Sequence, residues 1–317
     1  MSLWTSSRSE PNVAARRKAF RALHEQGCFV IPNPWDVGSA RYLQRRGFPA
    51  LATTSAGFAF SQGLPDSGNC DVVARARNLA YIASITAAVD IPVSADFMSG
   101  YGVTPKDVGD SVARCVETGV AGLSIEDATG DRRSPLYDLS EAVERVRAAR
   151  EAIDQSGADV LLTARAECYH VGLQDPFNES VRRLRAYASA GADVLFAPGP
   201  QTAGEITALV EAVAPKPLNL LVVGEIGLSV DEIATLGVRR VSVGGALALA
   251  AWTGFMHAAE MLRSKGSFAG LAGLVPYAEI NSLFALDVQV DDECGRSESL
   301  DPDNVGDIAD EGSGHRG

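Results

Sequence analysis

The stretch ETGVAGLSIED, residues 117–127, closes a helical pattern on Gly119, runs through an apolar segment and stops on two acids, Glu126 and Asp127. A glycine there suits the left-handed position that ends a helix, where a residue without Cβ carries no strain. The run after it reads as a strand covered by helices. The phrase returns as RRGFPALATT (45–54), QSGADVLLTAR (155–165), SAGADVLFAPG (189–199) and TLGVRRVSVGG (235–245). Adding CFVIP (28–32), IPVSAD (91–96) and PLNLLVV (217–223) gives eight strands, read as apolar on both faces. Helical patterns fill the intervals, and an N-terminal helix over residues 13–26 precedes the first strand. Eight strand–helix units in one domain predict an α/β fold, a (β/α)8 TIM barrel with an N-terminal helix and a C-terminal helical extension. An open doubly wound sheet is the main rival, but no GxGxxG follows the first strand.

The 317 residues divide into an N-terminal arm (1–12), the barrel with its last helix (13–286) and an acidic tail (287–317). That tail holds ten acids against Arg296 and Arg316, so it carries −8 of the chain's net −12. Its composition has too little to bury and reads as a disordered, solubilising segment. The remaining body is close to neutral and offers no basic stripe for nucleic acid. Five cysteines without a CxxC pair argue against a disulfide framework or a zinc cluster. No signal peptide is visible. The longest uncharged stretch, residues 241–259, contains Gly244, Gly245 and Gly254 and reads as core, not as a membrane span. A cytoplasmic location is the expectation.

In a parallel barrel the carboxyl ends of the strands form the reactive rim. Three runs stop there on charge: VSAD at Asp96, LSIED at Glu126 and Asp127, and LLTARAE at Arg165 and Glu167. Asp96 and Glu126, on neighbouring strands, are candidate ligands for Mg2+ or Mn2+, hard cations that take oxygen donors and keep several waters. The plainer reading gives each a helix cap or an arginine partner. Arg165 suits bidentate recognition of a carboxylate, or an ion pair with Glu126 or Glu167. Thr54, Ser55, Ala56 and Gly57 follow strand 2 with small side chains, leaving backbone N–H groups open to a carboxylate or phosphate. Asp66 is a possible base or a turn acid, and His170 a possible proton donor. Cys168 reads as a small buried residue. His24 and His257 draw no assignment. The four lysines (Lys18, Lys106, Lys216 and Lys265) end no barrel strand, which argues against a Schiff-base aldolase.

Over residues 13–285 the chain resembles the isocitrate lyase/phosphoenolpyruvate mutase superfamily, through NPWDVGSAR (33–41), TTSAGFAFSQGLPD (53–66), PVSADFMSGYG (92–102), GVAGLSIED (119–127), LLTARAE (161–167) and GADVLFAPG (191–199). The resemblance implies a barrel enzyme that makes or breaks bonds beside the carbonyl of a 2-oxo acid, using Mg2+ to stabilise an enolate-like pyruvate fragment. It implies metal-site acids at Asp96 and Glu126, a carboxylate loop at Ser55–Gly57, a loop aspartate at Asp66 and a substrate arginine at Arg165. A homotetramer exchanging its last helix, about residues 275–286, is also implied. Two positions depart from the family pattern. Met98 stands where a second acid is common, and a thioether is a poor ligand for Mg2+. The loop ATGDRRSPLYD (128–138) lacks the cysteine and lysine of the KKCGH signature, which argues against isocitrate or methylisocitrate cleavage. Arg132 and Arg133 can replace the loop's charge but not its acid, since guanidinium does not deprotonate.

The expectation is a Mg2+-dependent lyase that cleaves or decarboxylates a small 2-oxo or 2-hydroxy dicarboxylate. The alternatives are carbon–phosphorus chemistry of the carboxyphosphonoenolpyruvate mutase type, and a barrel that binds oxo acids without turnover because of Met98.

Overall fold

The structure, a computed structural model, describes residues 12–66 and 72–285; residues 1–11 of the arm and the acidic tail lie outside them. The described residues up to Leu274 form one compact unit. Within it the order is α1 (Val13–Leu23), β1 (Phe29–Ile31), α2 (Val37–Arg45), β2 (Leu51–Ala52), α3 (Ser55–Ser61), α4 (Val72–Ala88), β3 (Val93–Asp96) and α5 (Pro105–Glu117). Then come β4 (Gly122–Glu126), α6 (Leu139–Gln155), β5 (Leu161–Arg165), α7 (Pro176–Ser189), β6 (Val194–Phe196), α8 (Ala203–Val213), β7 (Leu218–Leu221), α9 (Val230–Thr235), β8 (Arg240–Ser242) and α10 (Ala246–Lys265). A further helix, α11 (Tyr277–Ala285), belongs to a second unit.

All eight strands pair in parallel, in the order β1-β8-β7-β6-β5-β4-β3-β2. The seam between β1 and β2 is laced rather than fully paired. Ala52 N–H donates to the Pro32 carbonyl at 3.1 Å. Asn33 ties three strand ends: its amide donates to Thr53 O at 3.0 Å, and its Oδ1 accepts from Val243 N and Gly244 N. This is a (β/α)8 barrel. The helices begin as their sequences dictate, with Thr104 capping α5 ahead of Pro105, Ser229 capping α9 and Asp175 capping α7. Segment 55–61, read from sequence as an open loop, is instead helix α3, capped by Thr54, whose hydroxyl accepts from Gly57 N–H.

Alternation along the strands divides the core in two. Leu123, Ile125, Leu162, Ala164 and Leu195 face outward and pack with Ile82, Ile85, Val108, Val112 and Ile153 of the surrounding helices. The inward positions are different. Ala52, Ser94, Ser124, Asn219 and Ser242 line a cavity along the barrel axis. The expectation of strands apolar on both faces holds at the strand starts, where Phe29, Ile31, Leu161 and Val194 are apolar, and is corrected further along, where Ser94, Ser124, Asn219 and Ser242 face the cavity beside Phe196 and Leu221.

Helix α1 stoppers the amino end of the barrel. Phe20, fully buried, packs with Phe29, Ile31, Ala121 and Leu161 at the strand starts. It comes so close that a Cβ on Gly122 would lie 2.6 Å from its ring. Arg16 and Arg17 then donate to the Thr86, Val89, Val116 and Val120 carbonyls near the ends of α4 and α5, where helices leave carbonyls unpaired. His24, left without an assignment from sequence, is buried edge-on against Phe20 and Phe29. Burial and the nearby Arg240 push its pKa down to about 3, so the ring is neutral.

Stretch 241–259 is only partly core. Its first residues form β8, but Leu249, Trp252, Phe255 and Met256 on α10 are exposed. Among the described residues no helix is long and apolar enough to cross a membrane.

Candidate active site

The carboxyl ends of β3, β4 and β5 bring Asp96, Glu126 and Arg165 side by side, because the strands are in register: Asp96 lies opposite Ser124, and Glu126 opposite Arg165. Two contiguous cavities meet there. The inner one, about 310 Å³, is lined by Ser55, Asp66, Asp96, Arg165 and His170 and continues down the barrel axis. The outer one, about 1250 Å³, shares Ser55, Asp66, Arg165 and His170 and adds Met98, Glu126, Arg132 and Glu167. The sequence-derived candidates thus converge on one opening.

Arg165 is the hub. Its Nη1 lies 3.3 Å from Glu126 Oε2, its Nε is ion-paired with Glu167, and its guanidinium sits 5.2 Å from the centre of the Phe196 ring. Burial works against its charge, but Glu167, Glu126 and Asp96 outweigh that and hold its pKa above the ordinary value. Glu126 is raised well above the usual carboxylate range, by burial first; Arg165 opposes the shift, while Glu167, Asp96 and Asp66 reinforce it. Burial also raises Glu167, against the pull of Arg165. Asp66 is raised by desolvation and then by Asp96, with the Ser55 side chain drawing it back. His170 stands exposed at the same opening.

Four carboxylates therefore surround one guanidinium. Asp96 is the informative member. Its Oδ2 accepts from Ser55 N–H at 2.9 Å, while its buried Oδ1 meets no donor. A buried carboxylate oxygen without a partner, in an excess of negative charge, suits a cation. Among the described residues no three His, Cys, Asp or Glu side chains stand close enough to hold a metal together. Asp96 and Glu126 are the side chains that could hold a Mg2+ at this opening, since such an ion typically takes one or two carboxylates and keeps several waters. Met98 supplies no side-chain oxygen. Its contribution is backbone: it adopts φ +49°, and its carbonyl accepts from Glu126 N–H at 2.9 Å, fixing the β4 end.

The loop at Thr54–Gly57 is less open than its sequence suggests. Ser55 N–H is taken by Asp96 and Gly57 N–H by Thr54, while Ala56 lines the inner cavity. Gly57 is required here, since a Cβ would lie 2.7 Å from Thr54 Cγ2 and 2.8 Å from Trp35 Cβ. Cys168 is fully buried, and burial pushes its thiol up to about 11, so it is no nucleophile.

Asp127, next to Glu126, turns to the other face of β4. Its Oδ1 accepts from Glu167 N–H at 2.8 Å, and its Oδ2 from Arg183 Nη1 at 3.0 Å and Tyr187 OH at 2.5 Å. Its carbonyl accepts from Tyr137 N–H. Asp127 thus anchors Glu167 and the β4–α6 loop without entering the cavity.

Comparison with known proteins agrees with this architecture. The phosphoenolpyruvate phosphomutase family model matches residues 20–263, and the chain belongs to that family, within the isocitrate lyase/phosphoenolpyruvate mutase superfamily. It is 34% identical over 265 residues to the Mycobacterium tuberculosis protein MT2054, an uncharacterized protein, covering 83% of this chain and 95% of that one. It is 30% identical over 236 residues to oxaloacetate decarboxylase of Paraburkholderia xenovorans, covering 71% of this chain and 74% of the enzyme. A solved Burkholderia cenocepacia structure, described as a lyase or mutase, is 46% identical with a TM-score of 0.81, covering 86% of this chain and 97% of that one. Lyases and mutases among its relatives support enzyme activity in general.

Proposed function

We propose that this chain is a Mg2+-dependent lyase that cleaves or decarboxylates a small 2-oxo or 2-hydroxy dicarboxylate. The observation that carries the reading is the buried, unpartnered Asp96 Oδ1 within a mouth where Asp66, Glu126 and Glu167 crowd Arg165. Asp96 and Glu126 hold the metal, directly or through water. A bound Mg2+ supplies the Lewis acid that draws electrons toward the oxo group. Arg165 receives the substrate carboxylate, exchanging part of its pairing with Glu126 for a bidentate contact.

Breaking the C3–C4 bond of a 2-oxo acid leaves its electron pair on C3, delocalised into the C2 oxo group as an enolate, and a proton must then reach C3. In decarboxylation the other product is CO2. In cleavage of a hydroxy acid, the hydroxyl proton must also leave as its carbon becomes a carbonyl. Asp66, whose pKa burial raises above its ordinary value, and His170 at the same opening are the groups placed to move those protons. Oxaloacetate is the first substrate to try, since one relative is named oxaloacetate decarboxylase.

The test is incubation of purified protein with Mg2+ and a panel of C4–C7 oxo- and hydroxy-dicarboxylates while pyruvate release is followed. At least one should release pyruvate in a reaction that chelator abolishes. Silence across the panel, with a phosphorus NMR signal from phosphonopyruvate-type substrates, would move the assignment to carbon–phosphorus chemistry. Silence in both would leave a binding protein.

A further inference from the structure

The interior of this barrel is unlike that of most of its class, which is filled by layers of bulky branched side chains. Below the mouth several inward positions are small and polar, beside apolar Ile31, Phe196 and Leu221, and the inner cavity of about 310 Å³ runs past Ser94, Ser124 and Ser242 to Arg240. Arg240 is 5% exposed. Its Nε donates to Asn219 Oδ1 at 2.7 Å and its Nη2 to Thr163 Oγ1 at 3.1 Å. Its Nη1 lies 3.4 Å from His24 Nε2. His24 Nδ1 is 2.8 Å from the Phe20 carbonyl, so Nδ1 carries the proton and Nε2 is the acceptor. Every one of these partners is neutral. Burial is the sole influence on the Arg240 pKa, which drops to about 9, with no acid to offset it, so the group is still a cation at neutral pH.

A buried cation normally has a counter-charge, because low-dielectric surroundings do not replace the water it has lost. Arg240 has five N–H groups, of which the three neutral partners take three. Ser242 adds a second donor. Its oxygen accepts from Asn219 Nδ2 at 2.9 Å, which leaves the hydroxyl proton free to point into the cavity.

We propose that the floor of this shaft is an anion subsite in which Arg240 and the Ser242 hydroxyl bind a carboxylate. Two sources of that carboxylate fit. One is the far end of a dicarboxylate whose near end meets Arg165. Thr163, bonded to Arg240, and Arg165 are two residues apart on β5, so their Cα atoms are about 6.6 Å apart along the strand, a spacing of the same order as a short dicarboxylate. The other is a separate monocarboxylate bound beneath the mouth. The subsite requires no turnover, so it stands or falls apart from the lyase assignment.

Calorimetric titration of the full chain with succinate and with propionate decides it, using the wild type, Arg240→Gln and Ser124→Val. The valine narrows the shaft between mouth and floor and removes none of the groups that Arg240 bonds, though it stands opposite one of them, Thr163, in the strand register. If the far carboxylate of a dicarboxylate occupies the floor, both variants weaken succinate at least tenfold and leave propionate unchanged. If a separate monocarboxylate occupies it, both variants weaken both ligands. Either pattern upholds the subsite. Should Arg240→Gln fail to fold, Ser124→Val alone carries the comparison. Wild-type protein that binds neither ligand, or folded variants whose affinities match the wild type, would overturn the proposal.

Discussion

Asp127→Ala lowers the stability of the protein by about 3–5 kcal/mol, the usual cost of removing one partner from a buried charged pair. Asp127 is 3% exposed and accepts from Arg183, Tyr187 and Glu167 N–H. Its loss leaves the Tyr187 hydroxyl and the Glu167 amide without their acceptor. Arg183 keeps Glu179, 2.7 Å from its Nε, so its charge is not wholly orphaned. For a chain of this size the loss corresponds to a fall of roughly 6–15 °C in the unfolding midpoint. Asp127→Asn retains one acceptor oxygen and should fall between alanine and wild type. A melt of the alanine variant within 2 degrees of wild type, roughly, would remove Asp127 from the supports of this site.

Arg165→Lys should reduce kcat/KM for any substrate found by about 100-fold or more, equivalent to roughly 3 kcal/mol of transition-state stabilisation. Two physical effects act together. A lysine is a point charge and cannot reproduce a planar, two-pronged contact with a carboxylate. It also cannot meet Glu126 and Glu167 at once in the geometry that the guanidinium holds, so those buried carboxylates shift further toward their protonated forms. Circular dichroism of the variant should match wild type, because Arg165 sits at the strand end rather than in the outer core. Steady-state rates within fivefold of wild type, approximately, would show that Arg165 is only a local ion pair.

Much of this was legible in the sequence because the barrel repeats one physical solution. Five helices, α2, α5, α6, α7 and α9, are followed by a glycine with positive φ, such as Gly119 at +85°, Gly157 at +66° and Gly191 at +105°, before an apolar strand. The observed strands fall inside the runs that this pattern marked. The polar inner face was also written there, though easily missed. Ser94 in VSAD, Ser124 in GLSIE, Thr163 in LLTAR and Asn219 in LNLL each interrupt an otherwise apolar run. Read with strict period two, those residues belong to the inner wall.

Other features depend on contacts that no local pattern carries. Glu126 and Asp127 look like one acidic pair, yet adjacent strand residues face opposite ways, and the partner of Asp127 is Arg183 on α7. His24 pairs with Arg240 across 216 positions. The Thr54–Gly57 amides seemed open because their acceptors, the Thr54 hydroxyl and Asp96, were not foreseen from composition.

The central claim is that Asp96, Glu126 and Arg165 form one metal-assisted site for a carboxylate ligand. Calorimetric titration of wild-type protein with oxalate, once with Mg2+ and once with chelator, addresses it most directly. The structure leads us to expect oxalate binding that strengthens at least tenfold in the presence of Mg2+. Equal affinity under both conditions would contradict the claim and leave Met98 as the mark of a barrel that has given up its metal.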